Sequence, residues 1–221
     1  MNVFDIIGPI MIGPSSSHTA GAVRLGNIAR KVLNREPAEA NIELSGSFAK
    51  TYRGHGTDKA ILAGIMGYDS SDEEIRYSPE LAEKRGLKYK FIPTDIPGAH
   101  PNTARIHLKA ADGTECEVEG ASIGGGNIYV GMVNGMAVGF TGQMNTILVL
   151  HYDKPGLIAA VTNYMYEHYS EVNIGNFRLA RNKRGGEAVM TIEIDGKPPE
   201  GMIEALSKIP DVINVILIKA V

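Results

Sequence analysis

From Thr146 onward the apolar residues run in the order strand, helix, strand, strand, helix, strand, and few folds satisfy that order. Thr146–His151 is a short apolar strand, and the YDKPG turn follows, with Lys154 pushed towards extended backbone by Pro155. Across Gly156–Tyr169, residues Leu157, Ile158, Val161 and Met165 recur at helical spacing. Val172–Asn182 and Glu187–Ile194 read as strands joined by a KRGG hairpin turn. The segment KPPEGMIEALSKI starts a helix after two prolines, and Val212–Lys219 is a last β-branched strand. The order βαββαβ is the ferredoxin-like split βαβ arrangement, an antiparallel four-stranded sheet with two helices on one face. Its uncovered strand edge is a template for pairing.

The remainder is an α+β pattern with a mainly antiparallel sheet. Helices are expected over Thr19–Leu33, over Asp58–Met66 with Thr57 as N-cap, and over Pro79–Arg85 with proline in the first turn. Strands are expected at Asn41–Leu44, Leu87–Ile92, Thr103–Lys109, Glu115–Glu119, Ile128–Val133 and Met136–Phe140. ADG and VNG are hairpin-type turns. A glycine-dense stretch, IGGGNIYVGMVNGMAVGFTG, ends near Gly142–Asn145 and divides the chain into expected domains 1–144 and 145–221.

With 22 basic and 25 acidic residues and no basic run, nucleic acid is not an expected partner. The apolar start MNVFDIIGPIMIG lacks a basic leader and carries Asp5, so it does not read as a secretory signal. No apolar run is long enough for a bilayer, which makes the cytoplasm the expected location and a membrane an unexpected partner. The single cysteine, Cys116, excludes an internal disulfide. It also cannot hold a cysteine-ligated iron–sulfur cluster alone, which needs three or four such ligands. Its alternating surroundings, TECEVEG, read as a strand.

Three histidine segments are poor in core-building residues. In IGPSSSHT, Ser15, Ser16, Ser17, His18 and Thr19 precede a helix, where hydroxyls and free N–H groups favour an anion. Capping alone accounts for one hydroxyl of the four. In YRGHGTDK, His55 stands between glycines and is followed by Gly56 and Thr57; it reads as a presented imidazole or as a surface loop entering a helix. In IPGAHPN, His100 and Asn102 sit on a proline-stiffened segment that also reads as a plain turn. Spacing leaves open whether the three converge. Convergence admits a three-histidine zinc site or a proton-transfer site, with no metal site assigned. His107, His151 and His168 read as structural, Gly124–Gly126 as a tight bend at a sheet edge, and SDEE at 71–74 as a solvated surface.

The stretches NVFDIIGPIMIGPSSSHTAGA, GSFAKTYRGHGTDKA, HPNTA and SIGGG closely resemble the beta chain of bacterial iron–sulfur-dependent L-serine dehydratases, across essentially the whole chain. The resemblance implies an α/β sandwich of the allosteric-substrate-binding type followed by an ACT domain. It implies dehydration of L-serine to aminoacrylate, then pyruvate and ammonia. It further implies a partner alpha subunit whose cysteines hold a [4Fe-4S] cluster, in keeping with the lone cysteine here. An open iron site acts as a Lewis acid on the leaving oxygen, and a neutral histidine takes the Cα proton. On that basis His55 is expected to be the base. His18 with Ser15, Ser16 and Ser17 would help hold the carboxylate or a cluster-bound group, and His100 and Asn102 would orient the substrate or the base.

In the ACT part, Asp153, Pro155 and Gly156 resemble the ligand-binding turn of such domains, and Asn173 and Ile174 the facing strand position. Serine is the first ligand expected there, with pairing of two ACT domains as the other use of that surface. Two further function classes remain open on the residues alone. One is a sensing subunit without chemistry, and the other a free-standing three-histidine hydrolase.

Overall fold

The computed structural model describes residues 11–13 and 15–220. Residues 1–10, on which the reading against a secretory signal rests, lie outside the described residues. Two compact units divide the chain, one up to Asn134 and one from Gly135.

In the first unit, a π-helical turn, Ser17–Gly21, runs directly into α1, Ala22–Leu33. Then follow β1 (Pro37–Leu44), α2 (Gly46–His55), α3 (Thr57–Ile65), a 3-10 turn (Glu73–Tyr77), α4 (Ser78–Lys84), β2 (Lys88–Pro93), β3 (Thr103–Ala110), β4 (Glu115–Gly124) and β5 (Asn127–Val133). The strands lie in the order β2-β1-β3-β4-β5. The β1–β2 pair is parallel and the others antiparallel. Strand alternation sorts the two faces. Ile42, Leu44, Ile106, Leu108 and Val118 are buried, and α1 packs on β3 and β4 from that side. The opposite face is charged, with Glu43, Arg105 and Glu119 side by side in register; Arg105 donates to Glu43 at 3.0 Å and to Glu119 at 2.8 Å.

Helices α1 and α3 cross through glycine. A Cβ on Gly64 would lie 2.1 Å from the carbonyl oxygen of Val23, and one on Gly26 would lie 2.4 Å from that of Ile61. No side chain fits between the two backbones there.

Several expectations need correction. The first helix begins at Ala22, because the backbone of residues 17–21 closes wider i+5 bonds such as Gly21 N–H to Ser16 O, 3.1 Å. The strand expected at Asn41 starts at Pro37. Gly46–His55, to which the residue pattern assigned no helix, is a helix. Thr57 does not cap the next helix: Gly56, at φ +72°, holds the cap position, while the Thr57 hydroxyl is buried without a hydrogen-bond partner.

The second unit opens with β6 (Met136–Phe140) and continues β7 (Asn145–Tyr152), α5 (Leu157–His168), β8 (Ile174–Arg181), β9 (Glu187–Ile194), α6 (Met202–Ser207) and β10 (Val212–Ile218). From β7 on this is the expected βαββαβ, with antiparallel strand order β10-β7-β9-β8. Ile147, Val149, Val161, Met165, Met190, Ile192, Met202 and Leu206 form its core. Each such side chain contributes about 1.5–3 kcal/mol when fully buried. β6 lies against β8 and β9. Among the described residues, no helix is long and apolar enough to cross a membrane.

Candidate active site

Helix α2 brings His18 and His55 together. Its one buried residue, Phe48, anchors it. Residues 48, 51 and 55 fall three and four apart, on one helical face. That face meets His18. The His18 imidazole lies 5.2 Å from the Phe48 ring, edge-on, and 4.7 Å from the His55 ring. Oγ1 of Thr51 is 3.2 Å from Nε2 of His18, and Oγ of Ser15 is 3.3 Å from its Nδ1. His18 is only 9% exposed, whereas His55 is exposed. Burial, and secondarily the neighbouring His55, push the His18 pKa below its ordinary 6.5, so the ring is neutral at physiological pH.

The glycine at position 56 lets α2 stop and α3 start within one residue, leaving His55 as the last residue of α2. A cleft of about 540 Å³ opens there, lined by Gly13, Thr19, Arg53, His55, Lys59 and Arg76 among others. Its described lining holds three cations and no carboxylate, which suits an anionic ligand. Thr19 is buried, with Gly13 so close that a Cβ there would sit 2.1 Å from the Thr19 hydroxyl. Ser15, Ser16 and Ser17 are half-buried, and the carbonyls of Ser15 and Ser16 accept the N–H groups of Thr19 and Gly21.

The His100–Asn102 segment is tied to the other end of α2. Phe48 N–H donates to Pro101 O at 3.2 Å, and Gly46, at φ +58°, lies so close to Pro101 that a Cβ would meet its backbone at 2.6 Å. Asn102 exchanges bonds with Ser122: Ser122 N–H donates to Asn102 O (3.1 Å), and Asn102 Nδ2 to Ser122 O (3.4 Å). Ser122 in turn presses on the turn that carries His18, since a Cβ on Gly21 would fall 2.1 Å from the Ser122 hydroxyl. His100 itself is exposed, and its Nδ1 accepts Asn102 N–H at 3.1 Å. Among the described residues no ring contact joins it to His18 or His55, and no group of three or more His, Cys, Asp or Glu is placed to hold a metal.

Thr51, Phe48, Ser122 and the cations Arg53, Lys59 and Arg76 were not singled out by sequence reasoning. The 48–51–55 spacing was the available signal for the first two. Cys116 is buried in β4, its Sγ donating to Ala29 O at 3.5 Å, and burial pushes its thiol up to about 12. A single cysteine falls short of the three or four that such a cluster needs. A second concavity, of about 740 Å³, lies on the charged sheet face around Glu43, His107 and Glu117 and shares no residue with the histidine cluster.

In the second unit, the Asp153 carboxylate accepts Gly185 N–H (2.9 Å) and the Arg181 guanidinium (2.7 Å), and those two partners, in that order, hold its pKa below the usual range. Pro155 and Gly156 are exposed beside it, at the end of β7. Asn173, whose Nδ2 donates to Asp195 at 2.7 Å, and Ile174 lie at the start of β8, at the opposite end of the sheet. One copy of this unit therefore does not bring the two halves of the expected ligand pocket together.

Residues 2–90 match the family model described as serine dehydratase beta chain. A Bacillus subtilis protein named probable L-serine dehydratase, beta chain, is 45% identical over 97% of this chain and 96% of its own length. The chain belongs to the serine dehydratase beta-chain family. Within that family, the L-serine dehydratase beta chain of Peptoniphilus asaccharolyticus is 38% identical, over 93% of this chain and 92% of that one. The ACT domain of a Chlorobium tepidum GTP pyrophosphokinase matches 34% of this beta-family chain and 95% of its own, at 21% identity and a TM-score of 0.29. The βαββαβ order of the second unit stands on its own strand pairing.

Proposed function

We propose that this chain is the beta subunit of an L-serine dehydratase, which with an alpha subunit removes water from L-serine and yields pyruvate and ammonia. The observation that carries the reading is the buried, neutral His18 in ring contact with exposed His55, in a chain 45% identical over 97% of its length to a relative so named. His55 takes the Cα proton, a contribution of about 10²–10⁴ in rate. Ser15, Ser16, Ser17 and Thr19, with Arg53, Lys59 and Arg76 in the adjoining cleft, receive the carboxylate. Gly56 and Thr57 open α3 beside it, and His100 and Asn102 orient the substrate from the segment fixed to α2. The [4Fe-4S] cluster is assigned to cysteines of the alpha subunit, because this chain carries one cysteine where a cluster needs three or four. The lone reduced thiol accords with a cytoplasmic location.

The second unit acts as a homodimeric ACT domain. Its β8 is a free sheet edge with Phe177 and Leu179 exposed. Two such edges paired antiparallel about a two-fold axis would set Asn173 and Ile174 of one copy beside Asp153, Pro155 and Gly156 of the other, a composite pocket for L-serine.

Co-expression with an alpha subunit and assay of pyruvate from L-serine tests the reading. His55→Ala is expected to lower kcat by about 10²–10⁴. A near wild-type kcat removes His55 from the role, and a loaded complex that forms no pyruvate overturns the enzyme assignment in favour of a sensing subunit.

A further inference from the structure

The hydroxyl of Thr51 has one proton, and α2 already uses it. Oγ1 lies 2.8 Å from the carbonyl oxygen of Ser47, the i−4 bond common for threonine within helices. What Oγ1 then offers His18 Nε2, at 3.2 Å, is a lone pair, which only an N–H can satisfy. In a neutral imidazole the other nitrogen is then unprotonated. That nitrogen, Nδ1, faces the Ser15 hydroxyl at 3.3 Å, and the Ser15 oxygen also accepts the main-chain N–H of His18 at 3.4 Å. The rings of Phe48 and His55 pack on the same imidazole and limit its rotation.

We propose that Thr51 is a positioning residue that holds His18 as the Nε2–H tautomer and keeps the Nδ1 lone pair turned towards Ser15. His18 then meets the serine segment as a proton acceptor and not as a donor. Carboxylate binding falls to the hydroxyls and the cationic cleft, and His18 becomes a second proton acceptor beside His55. The tautomer is a property of this chain alone; its weight in catalysis rests on the dehydratase reading above.

The test uses the full chain with ¹⁵N-labelled histidine, recorded in two-bond nitrogen–proton correlation spectra. The wild-type chain is expected to show His18 protonated at Nε2. Thr51→Val, which keeps shape and removes the hydroxyl, is expected to mix or reverse the tautomers, and Thr51→Ser to restore them. Protonation at Nδ1 in the wild type, or an unchanged tautomer in Thr51→Val, overturns the proposal. In the complex with the alpha subunit, Thr51→Val is expected to lower kcat about tenfold with KM little changed, and Thr51→Ser to recover it. A wild-type kcat in Thr51→Val overturns the positioning role. His18→Gln with full activity would instead sink the active-site reading, and the spectra would still decide the tautomer.

Discussion

His18 and His55 present their rings to each other at 4.7 Å although one is buried and the other open to solvent. Burial, and secondarily the neighbouring His55, keep the His18 ring neutral.

The pH dependence follows from that pairing. A histidine with a depressed folded pKa binds fewer protons when folded than when unfolded. Its penalty therefore grows as pH falls from 6.5 towards the lowered value, and is absent above 6.5. The His18 resonances should titrate below pH 6.5 in the folded chain. His55→Ala should raise that midpoint only in part, since burial, the larger cause, persists. An unshifted midpoint in the wild type would show that the ring is solvated.

Gly46→Ala should loosen the hold of α2 on the His100–Asn102 segment. The residue has φ +58°, and a Cβ would meet Pro101 backbone at 2.6 Å. Overpacking of this kind costs about 1–3 kcal/mol. Urea denaturation of the variant beside Gly113→Ala, where φ is also positive but the space is open, separates the contact from the backbone term. Equal losses at the two sites would mean that the Pro101 contact contributes nothing.

The amino acids that form regular apolar stripes were readable before any coordinates. Glu187–Ile194 and Met136–Phe140 match β9 and β6 to the residue. Helix α2 was not readable, because Gly46, Lys50, Arg53 and Gly54 dilute a face with one buried residue. Thr57 looked like a cap by residue type, but tertiary packing buries it and glycine takes the cap position. The approach of His18 to His55 depends on a helix crossing between segments with β1 between them in the chain, and spacing along the sequence carries no record of that. The placement of His100 away from both rings is equally a matter of how its loop is pinned.

Cys116→Ala should leave the iron content and activity of the assembled enzyme unchanged. In the native chain the thiol should resist alkylation, since it is buried and raised to about 12. Iron analysis of the complex and a thiol titration before and after denaturation check both. Loss of iron in the variant would place a cluster ligand on this chain.

Leu179→Lys should weaken self-association through β8, where Leu179 is 40% exposed on the free edge. Analytical ultracentrifugation of wild type and variant measures it. Calorimetry with L-serine should show binding that fades in the variant along with the dimer, because Asp153 and Asn173 sit at opposite ends of one copy's sheet. Binding retained by a monomeric variant would place the pocket within one copy.

The glycine crossing of α1 and α3 has its own bearing on how this site endures change. One helix continues from the turn bearing His18, and the other begins two residues after His55. Because Gly26 and Gly64 let peptide groups touch directly, the gauge between the imidazoles is set by main-chain dimensions, with no compressible cushion of methylenes in between. Exchanging one aliphatic residue for another elsewhere in the interior would alter stability while leaving that gauge as it was. A single methyl added at the crossing would jack the two lead-ins apart.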